Sequence, residues 1–265
     1  MMPQELLDVA SILITFTFFS LGSYFDVKTR EVSDRVWLAY APFSVALTIC
    51  RLIVSPSALF LVAVSISLTV VASFGLFYLG LFGGADAKAI LCMGLAIPIA
   101  PSSYRPLVGY VYPFFPIVVT ITSYLCSTSV VVWLALRNMT EYSHRGDQMF
   151  EGFQEESGWK KVLACLTGFR VAQPRLRSTF YLYPMEEVVR SVDGNRRAFR
   201  LFVSAEEDRD QAISRLENQL WQIGYTGEVW VTPGLPQLLF ILVALIITLI
   251  VGDPIFGMAV KLAIH

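Results

Sequence analysis

Long uncharged stretches alternate with short polar segments over the first half of the chain. About 20 apolar residues cross the hydrocarbon core of a bilayer, and roughly 17–25 are tolerated. The pattern predicts six transmembrane helices, at residues 9–25, 36–54, 58–82, 89–104, 111–136 and 237–251. Glu5 and Asp8 stand where a secretion signal would carry positive charge, so we expect the first helix to be retained.

A polar segment separates the fifth predicted helix from the sixth. Residues 138–233 contain 12 Lys/Arg and 14 Asp/Glu, whereas residues 1–137 contain 7 and 6, and residues 234–265 contain one of each. This segregation predicts a membrane domain over 1–137 with helices one to five, a soluble domain over 138–233, and helix six with a tail over 234–265. The chain as a whole is only 15% charged, against about 25% in soluble domains.

The soluble domain has the patterns of a small α+β fold. Ser204 and Glu207 have the spacing of a capping box, which predicts a helix over 205–223 that Gly224 ends. Residues 193–195 form a turn signal, and the polar residues 138–160 are expected to be a mobile linker. Residues rich in β-branched and aromatic side chains predict strands at 179–183, 198–203 and 228–231.

Positive charge in the short loops predicts the orientation in the membrane, because Lys and Arg favour the cytoplasmic side. Five such residues fall on one side and three on the other. The first set is Lys28, Arg30, Arg35, Lys88 and Arg137, and the second is Arg51, Arg105 and Lys261. The balance places the N-terminus outside a cell membrane and residues 138–233 in the cytoplasm.

Composition argues against several kinds of partner and cofactor. The net charge of −1 offers no basic field for nucleic acid. The cysteines form no Cys-x-x-Cys pair, and His144 and His265 are the only histidines, so we expect neither a zinc site nor another cofactor. A Ser–His protease would also need a histidine within the membrane.

Two aspartates lie at the ends of predicted transmembrane helices. Asp26 ends the first helix, and Asp86 follows the turn Gly83-Gly84-Ala85 before the fourth helix. Two crossings separate them, so both carboxylates return to the same face of the membrane. Each has an ordinary explanation taken alone, Asp86 as a helix cap and Asp26 as a group facing lipid headgroups. A carboxylate at a bilayer is nevertheless costly, which favours a functional role for the pair.

A carboxylate pair suits peptide hydrolysis. Two such groups a few ångströms apart do not ionise together, so one can act as a base on water while the other donates a proton. Other acids are weaker candidates: Glu31 and Asp34 have the character of solvated loop charges, and Asp253 falls on the opposite side. Lys88 is expected either to orient Asp86 or to anchor its helix at the interface.

Three segments resemble archaeal type IV prepilin peptidases, including preflagellin peptidases. Residues 26–37, from Asp26 through Asp34 to Trp37, resemble their first aspartate box. Gly83-Gly84-Ala85-Asp86-Ala87-Lys88 resembles the second, the Gly-x-Gly-Asp motif of membrane aspartyl proteases, with Ala85 in place of the second glycine. Thr232-Pro233-Gly234-Leu235-Pro236 and Gly252-Asp253, before and after the last helix, resemble the C-terminal part of the archaeal branch.

The resemblance implies an aspartyl endopeptidase that removes the short basic leader of pilin-like precursors at the cytoplasmic membrane face. It assigns catalysis to Asp26 and Asp86, with Gly83, Gly84, Ala85 and Lys88 as the supporting motif. Bacterial members often carry a Cys-x-x-Cys zinc loop and methylate their products, and since this chain lacks that loop we do not expect N-methylation.

Two alternatives to this function stay open at this point. A presenilin-like protease would cut inside a transmembrane helix, and an ion-coupled transporter would use membrane carboxylates without proteolysis. The sequence predicts neither the residues that bind substrate nor the oligomeric state.

Overall fold

A computed structural model describes residues 3–102, 104–107, 112–191, 194–201, 208–253 and 255. The chain divides into two compact units. The first contains Met1–Ser127 and Pro236–His265, and the second contains Thr128–Leu235. We describe each unit by itself.

Helices make up nearly all of the described first unit. Helix α4 packs between α2 and α3, while α1 packs against both α2 and the last helix, α9. The buried side chains of these helices form one apolar core, and many large apolar side chains remain exposed on the outside. The helices are α1 (Pro3–Thr29), α2 (Asp34–Val54), α3 (Leu59–Tyr78), α4 (Gly84–Ala96), α5 (Phe115–Arg145, of which residues to Ser127 belong here) and α9 (Gln237–Ile250).

Four helical segments are long and apolar enough to cross a membrane. They are Pro3–Thr29, Asp34–Val54, Pro56–Tyr78 and Phe115–Phe150. Helices α4 and α9 are shorter, with 13 and 14 residues, so the count of six transmembrane helices remains a prediction. The predicted fourth stretch, 89–104, loses its helix after Ala96 because Pro98 disfavours helical backbone in the residue before it and has no N–H to donate.

A buried ion pair joins the ends of α1 and α2 that lie away from Asp26. The Arg51 guanidinium donates to the Asp8 carboxylate across 2.7 Å, and each side chain is 1% exposed. The second oxygen of Asp8 accepts hydrogen bonds from the backbone N–H and the hydroxyl of Ser102. The sequence analysis counted Arg51 among the charges of the short loops, whereas here it lies in α2 and its charge is compensated by Asp8 inside the first unit.

The second unit combines two small antiparallel sheets with short helices. One sheet has the strand order β1 (Phe169–Ala172), β5 (Glu228–Pro233), β2 (Leu182–Pro184), and the other is the hairpin of β3 (Glu186–Ser191) and β4 (Gly194–Phe199). A buried pair between Glu186 and Arg197 links the strands of the hairpin. Its helices after α5 are α6 (Gly158–Thr167), α7 (Gln173–Ser178) and α8 (Arg209–Gln222), and a 3-10 turn covers Gly146–Phe150.

Several elements of this unit differ from the prediction. The strand at 228–231 is confirmed within β5. The strand predicted at 179–183 is present only from Leu182, because α7 continues to Ser178 and residues 179–181 form the turn that follows it. Residues 198–199 end β4, and positions 202–203 lie outside the described residues.

The predicted helix at 205–223 begins at Arg209 in the described chain. The Asp208 side chain caps it by accepting the backbone N–H groups of Asp210 and Gln211. Ser204 and Glu207, the predicted capping pair, lie outside the described residues, as does Asp193 of the predicted turn.

The expectation of a mobile linker at 138–160 is wrong. Helix α5 continues to Arg145, and the buried Asn138 amide donates to the carbonyls of Cys165 and Gly168. Met149 and Phe153 enter an apolar cluster with Trp230. The segment is ordered because these few anchors are buried, although the residues between them are polar.

Candidate active site

Asp26 lies within α1, which continues three residues beyond it to Thr29. The residue is 9% exposed. Its Oδ2 atom accepts a hydrogen bond from the backbone N–H of Leu238 at 3.1 Å. Leu238 is the second residue of α9, whose preceding residue, Pro236, provides no side-chain cap. A carboxylate on the first helix therefore satisfies an N–H at the start of the last one.

Asp86 lies in the first turn of α4. Its Oδ2 atom accepts the backbone N–H of Gly83 at 3.0 Å, which closes the turn onto the carboxylate. A Cβ atom at position 83 would lie 3.2 Å from that same oxygen, whereas a Cβ at Gly84 would meet nothing closer than 3.9 Å. Gly83 is thus the motif glycine that the close approach requires.

Ala85 fits its position without backbone strain. A glycine at this place in the motif would permit positive φ, which alanine disfavours. Position 85 is instead helical, within α4, and Arg30 is the only non-glycine residue with positive φ in the described part of the chain. The Ala85 side chain packs at the edge of the apolar core.

The fold brings the two aspartates into electrostatic contact. Asp86 precedes the predicted fourth transmembrane stretch and lies outside the four helical segments long enough to cross a membrane. Burial raises the pKa of its carboxyl from 3.8 to about 7, and the nearby Asp26 carboxylate also acts to raise it, against the opposing effect of the Gly83 hydrogen bond. Near neutral pH the Asp86 carboxyl can therefore hold a proton.

Lys88 pairs with Asp34 and not with Asp86. Its ammonium contacts the Asp34 carboxylate at the start of α2, and both side chains are largely exposed. The pair links the α1–α2 turn to the start of α4, so the two aspartate boxes meet at one end of the unit. Glu31 is exposed in the same turn.

Asp253 is buried and lies apart from this arrangement. Its carboxylate accepts the backbone N–H of Ile255. Among the described residues, no group of three or more His, Cys, Asp or Glu side chains gathers in a way that would hold a metal ion.

Aromatic side chains cover the turn that carries the motif glycines. Phe82 is 2% exposed and stacks on Tyr124 of α5 with 5.3 Å between ring centroids. The Tyr124 hydroxyl lies 3.5 Å from the Leu81 carbonyl. Sequence reasoning did not find Tyr124 or Leu238, since neither stands near an aspartate box along the chain.

Two protein-family models match separate parts of the chain. Residues 13–132 match the Type IV leader peptidase family, and residues 160–254 match the Archaeal Peptidase A24 C-terminus Type II. Together these matches cover both aspartate boxes and most of the second unit. They confirm the resemblance that the boxes predicted, and they support a hydrolase of the peptidase class.

Two relatives extend this similarity over most of the chain. A preflagellin peptidase from Methanocaldococcus jannaschii is 27% identical over 250 residues, which cover 89% of this chain and 92% of the relative. A preflagellin peptidase from Methanococcus voltae is 25% identical over 247 residues, which cover 89% and 93%.

Proposed function

We propose that the protein is an aspartyl endopeptidase that removes the leader of archaeal preflagellins or related type IV pilin-like precursors. The observation that carries the proposal is that Asp26 and Asp86 lie near enough at one end of the first unit for the Asp26 charge to raise the pKa of Asp86. The names of the two relatives and the leader peptidase family support the substrate class.

The chemistry needs one ionised and one protonated carboxyl group. The ionised group takes a proton from a water molecule, whose oxygen attacks the scissile carbonyl carbon. The protonated group donates its proton to the carbonyl oxygen, which gives a tetrahedral diol. The first group then passes the proton that it took from water to the leaving nitrogen, and the C–N bond breaks as a diol hydroxyl returns a proton to the second group. Asp86 suits the role of acid, because with a pKa of about 7 a substantial fraction of it is protonated near neutral pH.

We further propose that the protein lies in the cell membrane and that the end of the first unit with Asp26 and Asp86 is on the cytoplasmic side. The bias of Lys and Arg in the short loops supports that orientation. Protease added to inverted and to right-side-out vesicles tests it. Cleavage within residues 138–233 only in inverted vesicles is expected, and cleavage there only in right-side-out vesicles would reverse the orientation.

A cleavage assay on aspartate variants tests the mechanism. Membranes containing Asp26→Ala or Asp86→Ala are incubated with a leader-bearing precursor, and Asp34→Ala serves as a matched control because Asp34 is exposed nearby. We expect the first two variants to lose about 10²–10⁴-fold in rate and the control to cut normally. Wild-type cleavage by either variant would remove that aspartate from the mechanism.

Mapping the cut separates this function from a presenilin-like one. We expect cleavage between the leader and the apolar helix of the precursor. A cut inside that helix would identify an intramembrane protease instead. An ion-coupled transporter would show ion-dependent uptake and no proteolysis of the precursor.

A further inference from the structure

The first residues of α9 are held from both sides by side chains of α1. Asp26 accepts the Leu238 N–H at 3.1 Å, and the Ser23 hydroxyl donates to the Leu238 carbonyl at 3.0 Å. Ser23 and Asp26 are three residues apart, so they share one face of α1. The backbone N–H and the carbonyl of Leu238 are therefore both bound by side chains of α1 that lie one helical turn apart.

Gly22, beside Ser23, also borders Leu238. A Cβ atom at position 22 would lie 3.5 Å from the Leu238 side chain, an ordinary van der Waals distance, and a tighter 3.1 Å from the Trp37 ring. Leu238 is 1% exposed and Ser23 is 4% exposed. Gly22, Ser23 and Asp26 together form what we call the Leu238 seat.

The Leu238 seat binds the start of α9, which has no side-chain cap from its own N-cap residue, Pro236. At the start of a helix, unpaired N–H groups favour a negative charge. A hydrogen bond to a carboxylate likewise favours its ionised form. The contact with Leu238 thus orients the Asp26 carboxylate and stabilises its charge, provided that α9 stays in place.

We propose that Ser23 is a positioning residue that holds α9 on α1, so that the Leu238 N–H keeps the Asp26 carboxylate oriented as the base. The proposal rests on the proposed aspartyl protease function and assigns the ionised role to Asp26. Ser23 itself does not touch the reacting atoms. It acts through Leu238, whose carbonyl it binds.

Kinetics of Ser23→Ala against a matched control test the proposal. The control is Thr17→Ala, because the Thr17 hydroxyl lies on the same helix but donates only to the Leu13 carbonyl of that helix. With rates normalised to folded protein, we expect kcat of Ser23→Ala to fall by about tenfold with KM little changed. The acidic limb of its pH–rate profile should move to higher pH. Without the Ser23 hydroxyl the Leu238 N–H is held less firmly, so its hydrogen bond stabilises the ionised Asp26 carboxylate less. Ser23→Thr, which keeps the hydroxyl, should retain the wild-type profile, as should Thr17→Ala.

Each other outcome counts against the proposal. A Ser23→Ala enzyme with wild-type kcat and pH profile overturns it, and so does a slower enzyme whose pH profile is unchanged, because a merely structural role would give that result. Loss of activity in Ser23→Thr comparable to that in Ser23→Ala also overturns it. These results leave the proposed function intact as long as Asp26→Ala and Asp86→Ala are inactive, whereas wild-type cleavage by Asp26→Ala overturns both.

Discussion

The Lys88 ammonium binds the Asp34 carboxylate, although Asp86 lies only two residues before it in the chain. The exposed fractions of the two side chains are 45% and 70%. Exposed pairs of this kind contribute about 0–1 kcal/mol, because water and salt screen them. The second aspartate box therefore contains Lys88, which links α4 to the start of α2, as well as the candidate catalytic residue Asp86.

Removing this pair is expected to have a small effect. Lys88→Gln should lower thermal stability only slightly and leave the cleavage rate within about threefold of the wild type, because the Lys88–Asp34 contact is exposed. A thermal unfolding scan and the precursor assay measure both quantities. A loss as large as that of Asp86→Ala would show that Lys88 acts on the aspartate pair.

The two motif glycines should differ in their tolerance of alanine. Gly83→Ala places a Cβ atom 3.2 Å from the Asp86 carboxylate oxygen, whereas Gly84→Ala meets nothing within 3.9 Å. We expect Gly83→Ala to cut about tenfold more slowly, since small displacements of catalytic groups are costly. Gly84→Ala should cut at nearly the wild-type rate. Equal rates for the two variants would contradict this account of Asp86.

The pKa of Asp86 predicts a loss of activity at alkaline pH. The carboxyl is protonated below its pKa of about 7 and ionised above it, so the proposed acid disappears as the pH rises through neutrality. The value of kcat/KM should decline with an apparent pKa near 7. A plateau that extends to pH values well above that pKa would indicate that Asp86 does not supply the proton.

The buried pair of Asp8 and Arg51 predicts an asymmetry in stability. Arg51→Met leaves the Asp8 charge without its partner, and breaking a buried pair in this way typically costs about 3–5 kcal/mol. The double variant Asp8→Leu with Arg51→Met removes both charges and should be the more stable of the two variants. Thermal unfolding in detergent compares them. A double variant less stable than Arg51→Met would show that the Ser102 hydrogen bonds to Asp8 matter more than the charges.

The second unit shows where reasoning from local pattern failed. The segment 138–160 is polar and contains glycine, which favours a flexible linker. Asn138, Met149 and Phe153 are nevertheless buried and hold the segment in the fold. Burial of a few anchors depends on partners far along the chain, such as Trp230, and local composition does not record it.

The sequence predicted the candidate aspartates and their common face, because membrane helices must be long and apolar and each crossing reverses the side of the chain. It also carried the two aspartate boxes from which the family was inferred. Only the tertiary structure decided that Lys88 pairs with Asp34, that Ala85 is helical, and that Leu238 binds Asp26. The last contact joins residues 212 positions apart. No local pattern specifies such a pairing, because it depends on how the first and last helices pack against each other.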